Sequence, residues 1–241
     1  MSYQLYCIFR RPLPATLEIA DGVEGYRVFT ANYNGLGAAL SKGPESDRAA
    51  DASSLLAYEK VVESFYRQQT VIPLRYGCQV ECPYDAVTLL RVNHQAYSAL
   101  LQELQGLAEM GIQVLVDNSL AGAEADRLVI PPEWFPSRSG ESDAAYRDAN
   151  EPRYVGVQPT AVAERALVDD LCGWLHGFFV RHKVEFASSR KSGLLSLHSL
   201  VPRDSVETFR QTACHLPPNP SVKLLLSGPL PPYDFVDGLL L

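Results

Sequence analysis

The segment that most limits how this chain can fold is residues 222–236, where an apolar run meets a cluster of prolines. Residues 222–226 are apolar except for one lysine, which predicts a β-strand. Proline fixes φ and has no N–H to give to a sheet, so residues 229–232 are predicted to leave the sheet in a stiff, extended form. Phe235 and Val236 follow as apolar anchors. The sequence therefore predicts a terminal strand whose tail lies across another surface, its own or a partner's.

The first half of the chain predicts strands and helices around one sheet. The predicted strands are residues 3–9, 26–31, 36–40, 71–76 and 112–116, and the predicted helices are residues 51–68 and 83–110. Asp47 or Asp51 would cap the first helix, and Gly111 would end the second. Pro73 indicates an edge strand or a bulge. The pattern predicts a sheet with one face covered by helices.

The second half predicts a further α+β unit after a segment without periodicity. Its predicted elements are a helix over residues 160–182, a strand over 195–201, a helix over 203–214 and a strand over 221–226. From about residue 118 to residue 158, prolines and polar residues show no sustained period, which is typical of a linker or a long loop.

The fold class that follows is α+β with two domains, each an antiparallel or mixed sheet with helices packed on it. We expect an N-terminal domain over residues 1–118, a linker or long loop over residues 119–158, and a C-terminal domain over residues 159–241 that carries the proline-rich tail. A ferredoxin-like layout is an option for the C-terminal domain.

Composition excludes several classes of function. A net charge of -7 argues against nucleic acid as a partner, because phosphate binding needs clustered cations. No stretch approaches the roughly 20 consecutive apolar residues that span a bilayer. The N-terminus lacks the basic start and apolar core of a signal peptide, so the five scattered cysteines are expected to be reduced, partly buried thiols. Cys78 and Cys82 could form half of a zinc site, but no second pair completes it, and no metal is predicted.

No catalytic motif stands out. None of the five histidines has a Cys, Ser or Asp at a spacing that would identify a nucleophile and its base, and no phosphate-binding glycine loop is present. We therefore expect no catalytic, cofactor or metal site. Arg75 lies among apolar residues of a predicted strand, so it needs either an exposed edge or a carboxylate partner, for which Glu59 and Glu63 are candidates.

Three motifs together resemble one family. They are residues 58–77, which pair a helix with the strand Thr-Val-Ile-Pro-Leu-Arg-Tyr-Gly, residues 194–203, and residues 222–236. In this order and spacing they are similar to the GvpF/GvpL family of gas vesicle proteins, whose members carry a His-Glu pair before Leu-Pro-Leu-Arg-Phe-Gly-Thr and end in Thr-Gly-Pro-Trp-Pro-Pro-Tyr-Ser-Phe-Val. Here Tyr58 stands where the family often has His, Tyr76 and Cys78 replace Phe and Thr, and Leu230 replaces Trp.

The resemblance implies a non-enzymatic accessory role at the start of gas vesicle formation. It implies cytoplasmic, vesicle-associated localisation and contacts with the hydrophobic shell protein and other gas vesicle accessory proteins. The edge strand and the tail are the expected contact segments, by strand addition or docking of an extended segment. The candidate contact residues are Pro73, Leu74, Arg75, Tyr76, Gly228, Pro229, Pro231, Pro232, Tyr233 and Phe235. F-type and L-type members share these motifs, so the motifs do not separate the two roles.

Two alternatives stay open at this point. One is a small-molecule-binding or enzymatic α+β protein with a cleft between its halves, which a deep pocket with convergent polar groups and a strongly shifted histidine would favour. The other is a self-associating scaffold without a specific client.

Overall fold

A computed structural model describes residues 2–43, 51–117, 162–188, 192–215 and 222–236. The strands are β1 (Tyr3–Arg10), β2 (Phe29–Tyr33), β3 (Leu36–Lys42), β4 (Val71–Pro73), β5 (Gln79–Val80), β6 (Leu107–Asp117), β7 (Arg181–Ser188), β8 (Ser192–Pro202) and β9 (Val222–Leu230). The helices are α1 (Ala52–Tyr66), α2 (Pro83–Val92), α3 (His94–Glu103), α4 (Val162–Trp174) and α5 (Val206–Cys214). None of these helices has the length and hydropathy that crossing a bilayer requires.

The chain divides into two compact units. Residues Met1–Leu107 and Pro231–Leu241 form the first unit, and residues Ala108–Leu230 form the second. This grouping differs from the predicted boundaries at two points. Strand β6, expected at the end of the N-terminal domain, lies almost wholly in the second unit, and residues after Leu230 belong to the first.

The first unit contains an antiparallel sheet with strand order β2-β3-β1-β4, and β5 pairs with β1. Asn34 and Gly35 join β2 to β3 with φ angles of 42° and 83°. Positive φ at both central residues matches the type I′ turn that suits the twist of a hairpin. Strand β4 ends the strand order, as Pro73 indicated.

Strand β1 is buried on both faces, because residues 5–9 have no exposed surface. An extra residue at Tyr6 makes a β-bulge, since Leu5 pairs with Leu40 while Cys7 pairs with Ala39. The bulge lets Tyr6 and Phe9, which are an odd number of residues apart, both stack on aromatic side chains of α1.

The expectation of a sheet with one covered face is therefore wrong for the central strands. Residues 36–41 of β3 are also buried throughout. Small residues explain how both faces can be covered: a Cβ at Gly37 would lie 2.4 Å from the ring of Phe9.

The helices of the first unit follow the predicted caps only in part. Asp51 caps α1 by accepting a hydrogen bond of 2.7 Å from the Ser54 N–H, as expected for one of the two candidates. The predicted helix over residues 83–110 is instead two helices, because Asn93 has non-helical dihedrals between α2 and α3. Gly106, with a φ of 74°, turns the chain into β6, whereas Gly111 lies within that strand.

The second unit has a four-stranded sheet with strand order β7-β8-β6-β9. Among the described residues its elements run β6, α4, β7, β8, α5, β9. This βαββαβ order, with the first and third strands in the centre, is the ferredoxin-like arrangement. Its core gathers Met110, Ile112, Val114, Val168, Leu171, Leu175, Val184, Phe186, Leu195, Leu197, Val201, Phe209 and Ala213.

Two elements of the second unit differ from prediction. The helix expected over residues 160–182 ends at Trp174, and Gly177 then takes a φ of 87°. Strand β7, which the sequence did not predict, follows. The apolar stripe continues past the helix because Phe178 and Phe179 pack on the same core from the turn.

The expectation that residues 229–232 leave the sheet is wrong for their first half. Strand β9 continues to Leu230, which pairs with Glu109, and the register shifts between Glu109 and Gly111. Gly228 and Pro229 lie at this register shift, on a strand at the sheet edge, where a proline is tolerated.

Replacing Gly173 by alanine is expected to stabilise the second unit. Gly173 lies in the last turn of α4, and a Cβ there meets no atom within 4 Å. Alanine is favoured over glycine in helices by up to about 1 kcal/mol, so the midpoint of urea unfolding followed by tryptophan fluorescence should rise. A lower midpoint would contradict the open space around this position.

Candidate functional site

Tyr58 connects the first predicted contact segment to the interior of the first unit. Its side chain is 3% exposed, and its hydroxyl lies 2.5 Å from the Leu74 carbonyl oxygen and 3.2 Å from that of Tyr6. The hydroxyl therefore donates to the main chain where β1 and the end of β4 meet. The Tyr58 side chain thus connects helix α1 to both strands by hydrogen bonds, at the position where the family often has His.

Two further tyrosines surround Tyr58. The Tyr6 ring stacks on it with centroids 5.1 Å apart, and the Tyr76 ring meets it edge-on at 5.5 Å. We call these three residues the tyrosine cluster. The Tyr6 hydroxyl contacts Ser41 Oγ at 2.8 Å and accepts from the Val23 N–H at 2.9 Å. Burial raises the pKa of both Tyr6 and Tyr58, so both hydroxyls stay neutral and act through hydrogen bonds.

The residues predicted around β4 divide into a buried and an accessible part. Pro73 and Leu74 are buried, Tyr76 is half-buried, and Arg75 is exposed. Arg75 therefore meets the first of the two requirements set for it, an exposed position. Glu63, one of its candidate partners, forms an ion pair of 2.7 Å with Arg67 across one turn of α1.

The tail, residues 231–236, packs in the first unit. Pro231, Pro232, Phe235 and Val236 are buried, and Tyr233 is half-buried. Tyr233 is close enough to Tyr58 that it is the second cause, after burial, of the raised pKa of Tyr58. The structure therefore brings the two predicted segments together at the tyrosine cluster. Their role in partner binding stays a prediction.

Gly228 and Pro229 are placed differently from the rest of the tail. They lie in β9, in the second unit, where Gly228 is half-buried and Pro229 is exposed. The Arg210 guanidinium of α5 donates to the Gly228 carbonyl.

Strand β9 carries exposed apolar side chains that were not predicted from the sequence. Leu224, Leu225 and Leu230 are 39%, 62% and 41% exposed. No described strand pairs with the outer edge of β9, which ends the sheet order. Residues 222–226 were predicted as a β-strand, and their position at a sheet edge was not predicted. The available signals were Lys223 and Pro229, because charged residues and prolines are typical of edge strands.

A buried acid-base pair in the second unit was missed as well. The imidazole of His198 on β8 lies 3.1 Å from a carboxylate oxygen of Glu109 on β6, and the Glu109 side chain is 4% exposed. A glutamate this deeply buried normally has a partner, which the histidine supplies. The pair lies between neighbouring strands and ties them together. Its members are 89 residues apart in the chain, so spacing could not reveal it.

Among the described residues, a groove, a histidine and a cysteine bear on whether the chain has the features of an enzyme. The first unit has an open groove of about 450 Å³ beside α1, with Asp21, Ser53 and Lys60 among its lining residues and no histidine. Burial lowers the pKa of His182, whose ring packs against Phe179. The five cysteines are free thiols, and burial raises the pKa of Cys172 to about 12, which makes that thiol a poor nucleophile.

Known structures share this architecture. The crystal structure of the gas vesicle protein GvpF from Microcystis aeruginosa superposes with a TM-score of 0.70 at 16% identity, over 98% of this chain and 99% of that one. That of GvpF from Anabaena sp. PCC7120 gives 0.66 at 18% identity, over 98% and 96%. A search of curated proteins found no match.

These likenesses confirm the α+β class with two sheets in separate regions of the chain. A sequence model of one family, described as gas vesicle synthesis protein GvpL/GvpF, matches residues 3–237. The match includes the three motifs on which the resemblance was based. The chain therefore belongs to the GvpL/GvpF family of gas vesicle synthesis proteins.

Proposed function

We propose that this chain is a non-enzymatic accessory protein that binds the hydrophobic shell protein, other gas vesicle accessory proteins, or both, during nucleation of the vesicle in the cytoplasm. Membership of the GvpL/GvpF family over residues 3–237 supports a gas vesicle role. A shell subunit that is not yet packed exposes a large apolar surface, and such surfaces aggregate. A protein with a net charge of -7 that covers this surface would keep the subunit dispersed.

The main structural support for this contact is the outer edge of β9, which exposes apolar side chains. Leu225 is 62% exposed on a strand of nine residues whose single charged residue is Lys223. Edge strands are usually protected by charges, prolines or covering elements, because their free N–H and C=O groups accept another strand. Strand addition by the shell protein would use these groups for affinity and the leucines for specificity.

The candidate contact residues predicted from the sequence have three roles in this proposal. Gly228 and Pro229 shape the end of the β9 edge, and Arg75 and Tyr76 form an accessible patch on the first unit that serves a second partner. The buried residues Pro73, Leu74, Pro231, Pro232 and Phe235 hold the first unit in shape. Because the tail packs in that unit, removing it is a poor test of binding.

Co-expression with the shell protein of the same gas vesicle cluster tests the proposal. We expect a soluble complex with the unaltered chain and at least a ten-fold loss of recovered shell protein with Leu225→Lys. Val92→Lys is the matched control, because Val92 is also apolar and 73% exposed but lies on α2. Equal loss with both variants would move the contact away from β9. No binding to the shell protein or to any other protein of the cluster would overturn the proposed function.

A further inference from the structure

One peptide unit of β9 differs from the rest of the strand in the hydrogen-bonding groups that it offers. It joins Gly228 to Pro229, near the C-terminal end of the strand. Pro229 has no N–H to donate. The Gly228 carbonyl already accepts a hydrogen bond from the Arg210 guanidinium of α5. The donor of this peptide unit is therefore absent, and its acceptor is occupied.

The backbone at this peptide unit also departs from regular strand geometry. Strand β9 pairs with β6 over residues 222–227 and again at Leu230, and the register shifts between the two. Gly228 has a φ of 105°, and a Cβ there would lie 2.6 Å from the Glu109 carbonyl oxygen. Irregularities of this kind interrupt or end strand pairing. The regular part of the edge is thus residues 222–227, roughly 20 Å of extended chain.

Arg210 is held in place by the helix that carries it. Phe209 and Ala213 of α5 are buried in the core of the second unit, so the helix is fixed against the sheet. Arg210 itself is half-buried and reaches the edge strand. Gln211, the next residue, is exposed and donates to Glu207 within the same helix. A cation placed at a sheet edge is one of the usual barriers to strand addition.

We propose that Arg210 and Pro229 form an edge stop, which ends strand addition to β9 before Gly228; this rests on the proposed function, in which the shell protein adds a strand to β9. The added segment is extended and mainly apolar, it pairs along residues 222–227, and it faces Leu225 but not Leu230. A slip of one residue would turn every side chain of the added strand to its other face. The edge stop therefore gives the shell protein one register. Arg210 is a positioning residue, because it acts through the Gly228 carbonyl.

Photo-crosslinking in the full-length chain, co-expressed with the shell protein, tests the edge stop. The probe is p-benzoylphenylalanine at position 225 or at position 230, where it replaces leucines that are 62% and 41% exposed. We expect crosslinks to the shell protein from position 225 and at least five-fold fewer from position 230.

Variants of the edge stop test the role of each group. Arg210→Met frees the Gly228 carbonyl, and we expect it to raise the ratio of crosslinks from position 230 to those from position 225 at least three-fold. Arg210→Lys keeps a cationic donor, and Gln211→Met leaves Arg210 unchanged, so both should keep the ratio of the unaltered chain. Pro229→Ala restores an N–H and is the second variant if Arg210→Met loses its native circular dichroism.

The outcomes separate the edge stop from the proposed function. Equal crosslinking from both positions in the unaltered chain overturns the edge stop and leaves the contact at β9 supported. An unchanged ratio in natively folded Arg210→Met overturns the role of Arg210. Absence of crosslinks from both positions overturns the proposed contact at β9, and the edge stop with it.

Discussion

Replacing Tyr58 by alanine is expected to lower the free energy of unfolding of the first unit by about 3–5 kcal/mol, the usual cost of removing a buried aromatic side chain. Tyr58 is 3% exposed, and its ring stacks on Tyr6 and meets Tyr76. The lower free energy of unfolding has two causes. The substitution leaves a cavity in the tyrosine cluster, and it removes the hydrogen bonds of the Tyr58 hydroxyl to the main chain.

Tyr58→Phe separates these two contributions. It keeps the ring and removes the hydroxyl, which leaves the Leu74 carbonyl without this donor, at a cost of about 1–3 kcal/mol. The Tyr6 carbonyl keeps the Leu74 N–H as a donor at 2.9 Å. Tyr84→Ala, at a position that is 67% exposed, is the control and should change stability by no more than about 0.5 kcal/mol.

Urea unfolding followed by two signals checks the effect. Trp174 lies on α4 in the second unit, whereas far-ultraviolet circular dichroism reports both units. If the units unfold separately, the dichroism transition should shift and the fluorescence transition should stay. A Tyr58→Ala chain as stable as the Tyr84→Ala control would contradict the described role of Tyr58.

Replacing Gly228 by alanine is expected to destabilise the second unit by about 2–5 kcal/mol, the sum of backbone strain and crowding. Gly228 has a φ of 105°, a conformation that side chains rarely adopt. A Cβ there would lie 2.6 Å from the Glu109 carbonyl oxygen and 3.2 Å from Met110 Cα, and neither main-chain atom can move aside easily.

Gly177→Ala is the matched control for Gly228→Ala. Gly177 lies in the same unit with a φ of 87°, but a Cβ there meets nothing within 4 Å. It should show the strain alone, about 1–2 kcal/mol. Tryptophan fluorescence during urea unfolding measures both variants. Equal losses would mean that the close approach of β6 to Gly228 contributes nothing.

Local patterns predicted the elements whose signals lie within one segment. Strand β1 and helix α1 follow from alternation and from helical periodicity with a cap at Asp51. Strand β7 was missed because apolar residues after Trp174 continue the stripe of α4, so the end of the helix depended on the conformation of Gly177. Apolar periodicity indicates which side chains are buried. A turn that packs on the same core as the helix before it gives the same apolar pattern, so the pattern does not show where the helix ends.

Contacts between residues that are far apart in the chain could not be predicted from local sequence patterns. The Tyr58 hydroxyl meets carbonyls 16 and 52 residues away, and Gly111 on β6 accepts a hydrogen bond from Ser227, 116 residues away. The pairing of β6 with β9 is a contact of this kind, and it determines the unit to which β6 belongs. The candidate contact segments were found because their prolines and glycines limit the backbone. Whether their side chains face solvent or the interior depends on packing.

The position of the tail sets an order of events during synthesis of the chain. The ribosome completes residues 231–236 only after the whole of the second unit, residues Ala108–Leu230. At bacterial and eukaryotic elongation rates this takes roughly 6–25 seconds, while N-terminal units begin to fold first. Through that interval the nascent first unit lacks the tail residues that pack in it, so the region beside the tyrosine cluster is the last part of that unit to be completed.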